Sequence, residues 1–480
     1  MAEKKALPEY LLLLKECLTK RKISAQQIAT KCTYDLSTVQ KALSGTRGLS
    51  EDLLHAILDS FSFTPCETKS ICWSFYSITG ERFTQEQLQR IRFVEDTLNH
   101  LSEASNGTIE PLSQVTFEQE TTILADDVPI AQAVQYLLSR ELETDNPFVY
   151  TNYPYKLEVI DELVYSSLKT SGKRIDFLHF LPWDDEDDEV HNLRRVFYSL
   201  RYCKLRYSPS IYPGNRQRTA NPTSLYPLFF VTSRHVLMFS HKVWRGILLC
   251  NAEAVTSHVT FLKQLERICK PLAVFPKDED ALMKYIAEQS KVSLLYTFAD
   301  TPCFGSFMDE QILSKQLNVP NKATWTQRIL KFYERYFISS PPQYHTPEGM
   351  REFARSGRFH EATERLLLPA SHALRSELLK RIVARINSEK GKEMKFRLLD
   401  QGYLTLPADV SFDVHGSGLS ILGSISEGSL AFHGEYVIFL DDEQIFQIFR
   451  DFESYISQCH YFHKKDWTLY FLEDLRLQVD

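Results

Sequence analysis

The chain has 480 residues, 43% of them hydrophobic and 24% charged, with a formal net charge of −7. That is the make-up of an ordinary globular protein of about three domains, and it excludes nucleic-acid binding driven by overall charge, leaving only a local surface for it. No apolar run approaches the about 18 residues of a membrane span, and no signal-peptide core follows Met-Ala-Glu-Lys-Lys. Nine cysteines without a CxxC pair fit reduced thiols, so the expected compartment is the cytoplasm.

The first predicted helix runs from about Pro8 to Lys20, with Leu11, Leu14 and Leu18 on one face. Ser24 and Gln27 form a capping box that opens the second, and Ile28 and Ala29 face inward. A turn follows at Cys32-Thr33-Tyr34. Asp35 caps a third helix over Leu36–Leu43, and Gly45 ends it. Val39 packs that helix back onto the second. Ser50 caps a fourth, with Glu51 and Asp52 in its first turn and Leu53, Ile57 and Phe61 along one face. Thr64-Pro65 starts a fifth, with proline at the first helical position. Together these predict an all-α domain over residues 1–80.

The stretch from Ile23 to Phe61 resembles the helix-turn-helix of Cro and phage-repressor type (XRE-like) regulators. The run Ser37-Thr38-Val39-Gln40-Lys41-Ala42-Leu43-Ser44-Gly45 also resembles the lac-repressor variety. The resemblance covers residues 1–75. It implies that Leu36, Ser37, Gln40 and Lys41 face base edges of double-stranded DNA. It also implies that Gln26, Gln27, Thr46 and Arg47 touch phosphate, and that the chain works as a homodimer. Thr33 stands where such regulators usually have a left-handed glycine. A β-branched residue is strained there, which predicts an altered turn. Residues 1–80 hold ten Lys or Arg against eight Asp or Glu, and Lys20, Arg21 and Lys22 cluster where a phosphate backbone would pass.

Thr84 and Gln87 open another amphipathic helix, from Gln85 to about Ser102, and Asn106-Gly107 breaks the chain after it. Residues 81–113 are therefore expected to connect the domain to the rest, as a coupling or dimerisation helix or as one lying on its own domain.

From residue 114 strands and helices alternate, which predicts a large α/β region. Strands are expected at Phe148–Asn152, Arg174–Leu181, Leu205–Tyr212, Leu228–Val231, His235–Phe239 and Gly246–Leu249, with helices at Leu157–Leu168, Glu189–Tyr202 and Ala254–Cys269. Strands at Lys395–Leu399, Ser420–Ile425 and Tyr436–Leu440, then a helix at Asp442–Ser457, repeat that plan. Phe261 and Leu265 in one closing helix match Phe449 and Phe452 in the other. Two related halves, 114–275 and 276–480, follow from this, the second holding a helical insert with a basic helix at Leu374–Ile386. Duplicated halves of this sort are similar to phospholipase-D-like folds. The His-x-Lys of that superfamily is absent: Val236 and Leu237 follow His235, and Tyr470 stands where His463-Lys464-Lys465 would need an aspartate.

No constellation for catalysis stands out. Asp184–Glu189 lacks the glycine and spacing of a calcium loop and suits a helix start. Cys459, His460 and His463 offer three soft-metal ligands without a second pair. The stretch Arg201–Arg218 mixes tyrosines with Arg and Lys and fits either an anion site or an edge strand and loop. No phosphate-cradling glycine motif and no nucleophile elbow occurs. The expectation is a DNA-binding transcription regulator with a C-terminal sensor or assembly region, no enzymatic activity, no cofactor and no metal. An unknown small molecule or peptide is a further possible partner. The alternative is a protein-binding regulator or antitoxin-like scaffold.

Overall fold

The computed structural model describes residues 7–102, 113, 115–154, 157–171, 175–183, 189–203, 208–213, 225–275, 278, 280–281, 294–359, 366–389, 394–408, 410–416, 418–425 and 434–479. The acidic run at Asp184–Asp188, Asn106-Gly107, and Arg216 and Arg218 lie outside these residues. No described helix is long and apolar enough to cross a membrane.

Six helices come first: α1 (Glu9–Lys20), α2 (Ala25–Cys32), α3 (Leu36–Ser44), α4 (Glu51–Ser60), α5 (Pro65–Thr79) and α6 (Gln85–Ser102). Local chemistry accounts for their starts. Gln27 Oε1 accepts from the Ser24 N–H at 2.7 Å while Ser24 Oγ accepts from the Gln27 N–H at 3.3 Å. Thr64 with Glu67, and Thr84 with Gln87, repeat the device. Asp35 stands at the start of α3 but makes no side-chain cap. Gly45 ends α3 in the left-handed region at φ 75°, and a Cβ there would meet Leu7 at 2.3 Å. Thr33 is left-handed all the same, at φ 62° and ψ 43°. The altered turn expected there does not arise. The N–H groups of Thr33 and Tyr34 both donate to the Ala29 carbonyl and hold the turn against a steric cost of about 1–2 kcal/mol.

The remainder is α/β, with two mixed sheets. The first half contains β1 (Thr121–Ala125), α7 (Asp127–Leu142), β2 (Phe148–Thr151), α8 (Glu158–Ser171), β3 (Asp176–Trp183), α9 (Glu189–Cys203), β4 (Ser208–Pro213), β5 (Leu228–Val231), β6 (Val236–Ser240), β7 (Arg245–Leu249), α10 (Ala252–Glu266) and β8 (Lys270–Pro271). Its strand order is β1-β7-β6-β5-β2-β3-β4-β8. The second half contains β9 (Ala273–Val274), β10 (Leu294–Ala299), a 3-10 turn at Phe304–Phe307, α11 (Glu310–Gln316), α12 (Lys322–Tyr336), β11 (Gln343–His345), α13 (Pro347–Ser356), α14 (His372–Ser388), β12 (Phe396–Leu398), β13 (Val410–His415), β14 (Gly418–Ile425), β15 (Gly434–Asp441), α15 (Glu443–Gln458) and α16 (Lys465–Val479). Its order is β12-β11-β10-β13-β14-β15-β9.

The two orders are the same plan. In each half three parallel strands run outward from the centre, β2-β3-β4 and β10-β11-β12. Parallel neighbours require helical crossovers, which α8 and α9 supply in one half, and α12, α13 and α14 in the other. Each half then turns back through antiparallel strands, β5-β6-β7 and β13-β14-β15. The residue-120s strand β1 closes one far edge against β7, as β9 closes the other against β15. Among the described strands only β8 has no counterpart.

One apolar core joins helices α1–α6 to the second half and not to the bulk of the first. It runs from Leu14, Ile57 and Phe75 through Leu88 and Leu98 to Phe412, Phe449 and Phe452. Helix α9 and Leu181 of β3 reach it from the first half, with Phe197 6.2 Å from Phe449 and 5.8 Å from Phe412 between ring centres. The basic helix α14 is largely spent on structure. Arg375 is buried and donates to the Ala354 and Arg355 carbonyls at the end of α13, and Arg381 binds Glu377 and Asp309.

Candidate functional site

The eight residues expected to face DNA lie on the start of α2 (Gln26, Gln27), on α3 (Leu36, Ser37, Gln40, Lys41) and in the loop after it (Thr46, Arg47). All are exposed except Leu36, which is half-buried. The side chains of Gln26, Ser37, Gln40, Lys41 and Arg47 bond to no described residue. Gln27 uses its Oε1 on the Ser24 N–H, so its amide NH₂ remains to donate outward. Thr46 Oγ1 lies 2.7 Å from Ser44 Oγ. The fold therefore brings the eight together around α2 and α3, the seven polar ones exposed.

The neighbouring Lys20-Arg21-Lys22 cluster is not free as expected. Arg21 donates to both carboxylate oxygens of Glu67 and to the Ser62 carbonyl. The Arg21 guanidinium, with the Thr64 N–H, lowers the Glu67 carboxyl to about 2. Lys20 pairs with Glu16 at 2.7 Å on the surface, and only Lys22 stays unengaged among the three.

The other side of the helical unit is fixed to the second half. Lys69 on α5 forms an ion pair with Glu95 on α6 and donates to the Tyr403 carbonyl at 2.9 Å. Asn99 Oδ1 accepts from the Thr405 N–H at 2.8 Å. Trp73, Tyr76 and Phe83 surround Tyr455 of α15 edge-on. His55 of α4 stacks on His460 with ring centres 5.8 Å apart, and Asp59 binds His460 Nδ1 at 3.0 Å. No pattern along the chain foretells this surface, because its partners stand hundreds of residues apart. The helix over 85–102 lies on α15 of the second half and shares the core of the N-terminal helices.

Cys459, His460 and His463 do not converge as metal ligands. Cys459 is buried beside Cys72 and Tyr455, His460 turns to Asp59, and His463 stacks on Trp467 at 3.6 Å. Among the described residues no group of three such side chains could hold a metal.

Buried histidines occupy equivalent strands of the two halves. His179 on β3 bonds the Tyr153 carbonyl at 2.7 Å and His345 on β11 the Ala299 carbonyl at 3.0 Å. Burial lowers both to about 4. In the second half His415 Nε2 lies 2.9 Å from Ser420 Oγ. Asp413 accepts from Thr297 at 2.5 Å and Tyr336 at 2.7 Å instead of bonding the imidazole, and Ser420 is buried. That is not a nucleophile relay, in which the carboxylate must orient the histidine.

No family model and no curated protein matches the chain. Among solved structures it is similar to a crystal structure of polyphosphate kinase from Porphyromonas gingivalis, at 10% identity and a TM-score of 0.23, over 70% of this chain and 50% of that one. The chain thus spans about half the length of that kinase, and so slight a likeness transfers neither fold nor activity. The match is nevertheless to an enzyme and not to a DNA-binding regulator. The expectation of a transcription regulator without enzymatic activity is corrected on that finding. Its physical weakness is plain in the fold: the pattern behind it occupies α2 and α3, while most of the chain is a two-sheet body whose chemistry that pattern does not reach.

Proposed function

We propose that the helical unit of residues 9–79 docks on double-stranded DNA, with α2 and α3 acting as a helix-turn-helix of the Cro and phage-repressor kind. The contact belongs to that unit alone and brings no role in transcription with it. The observation that carries the reading is the division of the unit's surface. Its α4 and α5 side is bonded to the second half, whereas Gln26, Ser37, Gln40, Lys41 and Arg47 are exposed and bonded to nothing described. The left-handed turn at Thr33 between α2 and α3 supports the reading, because it stands where such regulators usually have a left-handed glycine. Lys41 and Arg47 supply the local positive charge, Gln27 an outward amide donor, and Gln40 a side chain able to pair with adenine.

Fluorescence anisotropy of a labelled random-sequence duplex with the full chain tests this, over salt from about 50 to about 200 mM. Affinity falls with salt, and Lys41→Ala and Arg47→Ala each reduce the slope of log affinity against log salt by about 0.9. Absence of binding by the folded chain at the lowest salt, or slopes unchanged in both variants, would overturn it.

A further inference from the structure

The helical unit and the second half meet through a pair of stacked imidazoles, one from each side. His55 belongs to α4 and His460 to the segment between α15 and α16. Their rings are 5.8 Å apart and 13° from parallel. We propose that this stacked pair is an acid-sensitive latch, which holds the helical unit against α15 near neutral pH and loosens it when both rings gain protons.

The charges around the pair allow for one proton and not for two. Asp59 binds His460 Nδ1 at 3.0 Å and also faces Lys464, whose Nζ lies 3.9 Å from its Oδ1 and 2.9 Å from its carbonyl oxygen. A protonated His460 is therefore matched. His55 has Glu51 at 3.9 Å, but that carboxylate is already engaged by Arg82 at 3.1 Å and the Tyr76 hydroxyl at 2.8 Å. His55 Nε2 itself bonds the Tyr76 hydroxyl at 3.0 Å. A proton on His55 thus sits in a half-buried place, against the face of a second cation, with its nearest carboxylate shared. Phe462, stacked on His460 with ring centres 6.2 Å apart, offers no charge.

Burial first, and then the neighbouring His460 charge, lower the His55 pKa. Burial raises that of Asp59, but the bond and charge of His460, with Lys464 and His55, outweigh it and leave the carboxyl lowered. A lowered histidine favours the docked form above its ordinary titration range and withdraws that support as pH falls. The lowered Asp59 acts in the same direction at lower pH. Glu95, buried in the same contact, has its pKa raised by burial against the pull of Lys69, and so acts in the opposite direction. The latch is therefore read from a difference between variants. It does not depend on what α3 binds.

Hydrogen exchange of the full chain at about pH 7.5 and about pH 5.5, expressed as protection factors, tests the proposal. Peptides of α4 and α5 are compared with β13 and β14 as internal standards. His460→Asn keeps a donor towards Asp59 and suits the left-handed backbone at φ 53°. The expected result is a severalfold loss of α4 and α5 protection in acid for the native chain, and a clearly smaller loss for His460→Asn, where the burial of His55 remains but the second imidazole is gone. Should that variant already be loose at the higher pH, His55→Gln makes the same comparison while retaining a bond to Tyr76. Equal protection of the native chain at both pH values overturns the latch, as does a variant that loosens in acid as much as the native chain.

Discussion

Helices α10 and α15 hold the same place in two halves built on one strand order, and they live in opposite surroundings. Each follows three antiparallel strands and lies on its sheet. Beneath α10 Val255 and Leu262 are buried, but Phe261 on its outer side is 62% exposed. In α15 Phe449, Phe452, Tyr455 and Ile456 are all at 1% exposure or less, because α5, α6 and α9 cover the side that α10 leaves open. A shared fold therefore sets where a helix lies but not what its second face must be. That face is decided by whatever else the chain brings to it. Here the chain brings its own N-terminal helices, and only to one copy.

The largest expected difference tests this coverage directly. Phe449→Ala removes a ring that meets Phe197 and Phe412 and should cost about 3–5 kcal/mol of unfolding free energy in denaturant titration. A loss below about 1 kcal/mol would mean that the joint core is loosely packed.

Next in size is an effect that the halves should share. His179 and His345 are buried and lowered to about 4 in the fold, against about 6.5 in an unfolded chain. The unfolded chain thus takes up protons first as pH falls. Each histidine contributes stability that is full above about pH 6.5 and lost by about pH 4, roughly 3 kcal/mol for a fully buried ring. His179→Gln and His345→Gln should each flatten the stability–pH curve by a similar amount over that window. If only one does so, the two strands are not equivalent in burial, and the likeness of the halves stops at topology.

The smallest expected effect is at the bare helix. Phe261→Ala should change stability by no more than about 0.5 kcal/mol. A larger loss, above all one that depends on protein concentration, would show that α10 is covered in solution after all.

Much of the local structure was legible beforehand, for local reasons. Ser24 with Gln27, Thr64 with Pro65, and Gly45 mark helix ends through bonds to residues a few positions away. The recurring order of strands and the paired Phe261/Leu265 and Phe449/Phe452 pointed to two halves. Thr33 misled, because a steric preference of about 1–2 kcal/mol is within what two backbone hydrogen bonds and a packed turn can override. Strands β1, β8, β9, β10, β11 and β13 and helices α7, α11, α12 and α16 were not predicted from the sequence. β1 is short and has one buried residue, whereas Val410, Phe412 and Val414 of β13 alternate with polar residues and Trp325, Ile329 and Tyr336 of α12 recur at helical steps, so those two patterns were there to be read. The eight exposed residues around α3 were identifiable from a motif, whereas the surface that anchors their unit was not.

The chain by itself determined where many helices start and stop and which of their faces are apolar, because hydrogen-bonded caps and hydrophobic periodicity act over a few residues; the full match of the two strand orders came from the fold. Tertiary structure alone decided that the N-terminal helices share a core with the second half, that Arg21 serves Glu67 and Arg375 the end of α13, and that His55 meets His460. Those outcomes depend on apolar burial and charge pairing between segments up to four hundred positions apart. Such forces are non-directional along the chain, and no spacing in the sequence records which of two similar helices will be covered.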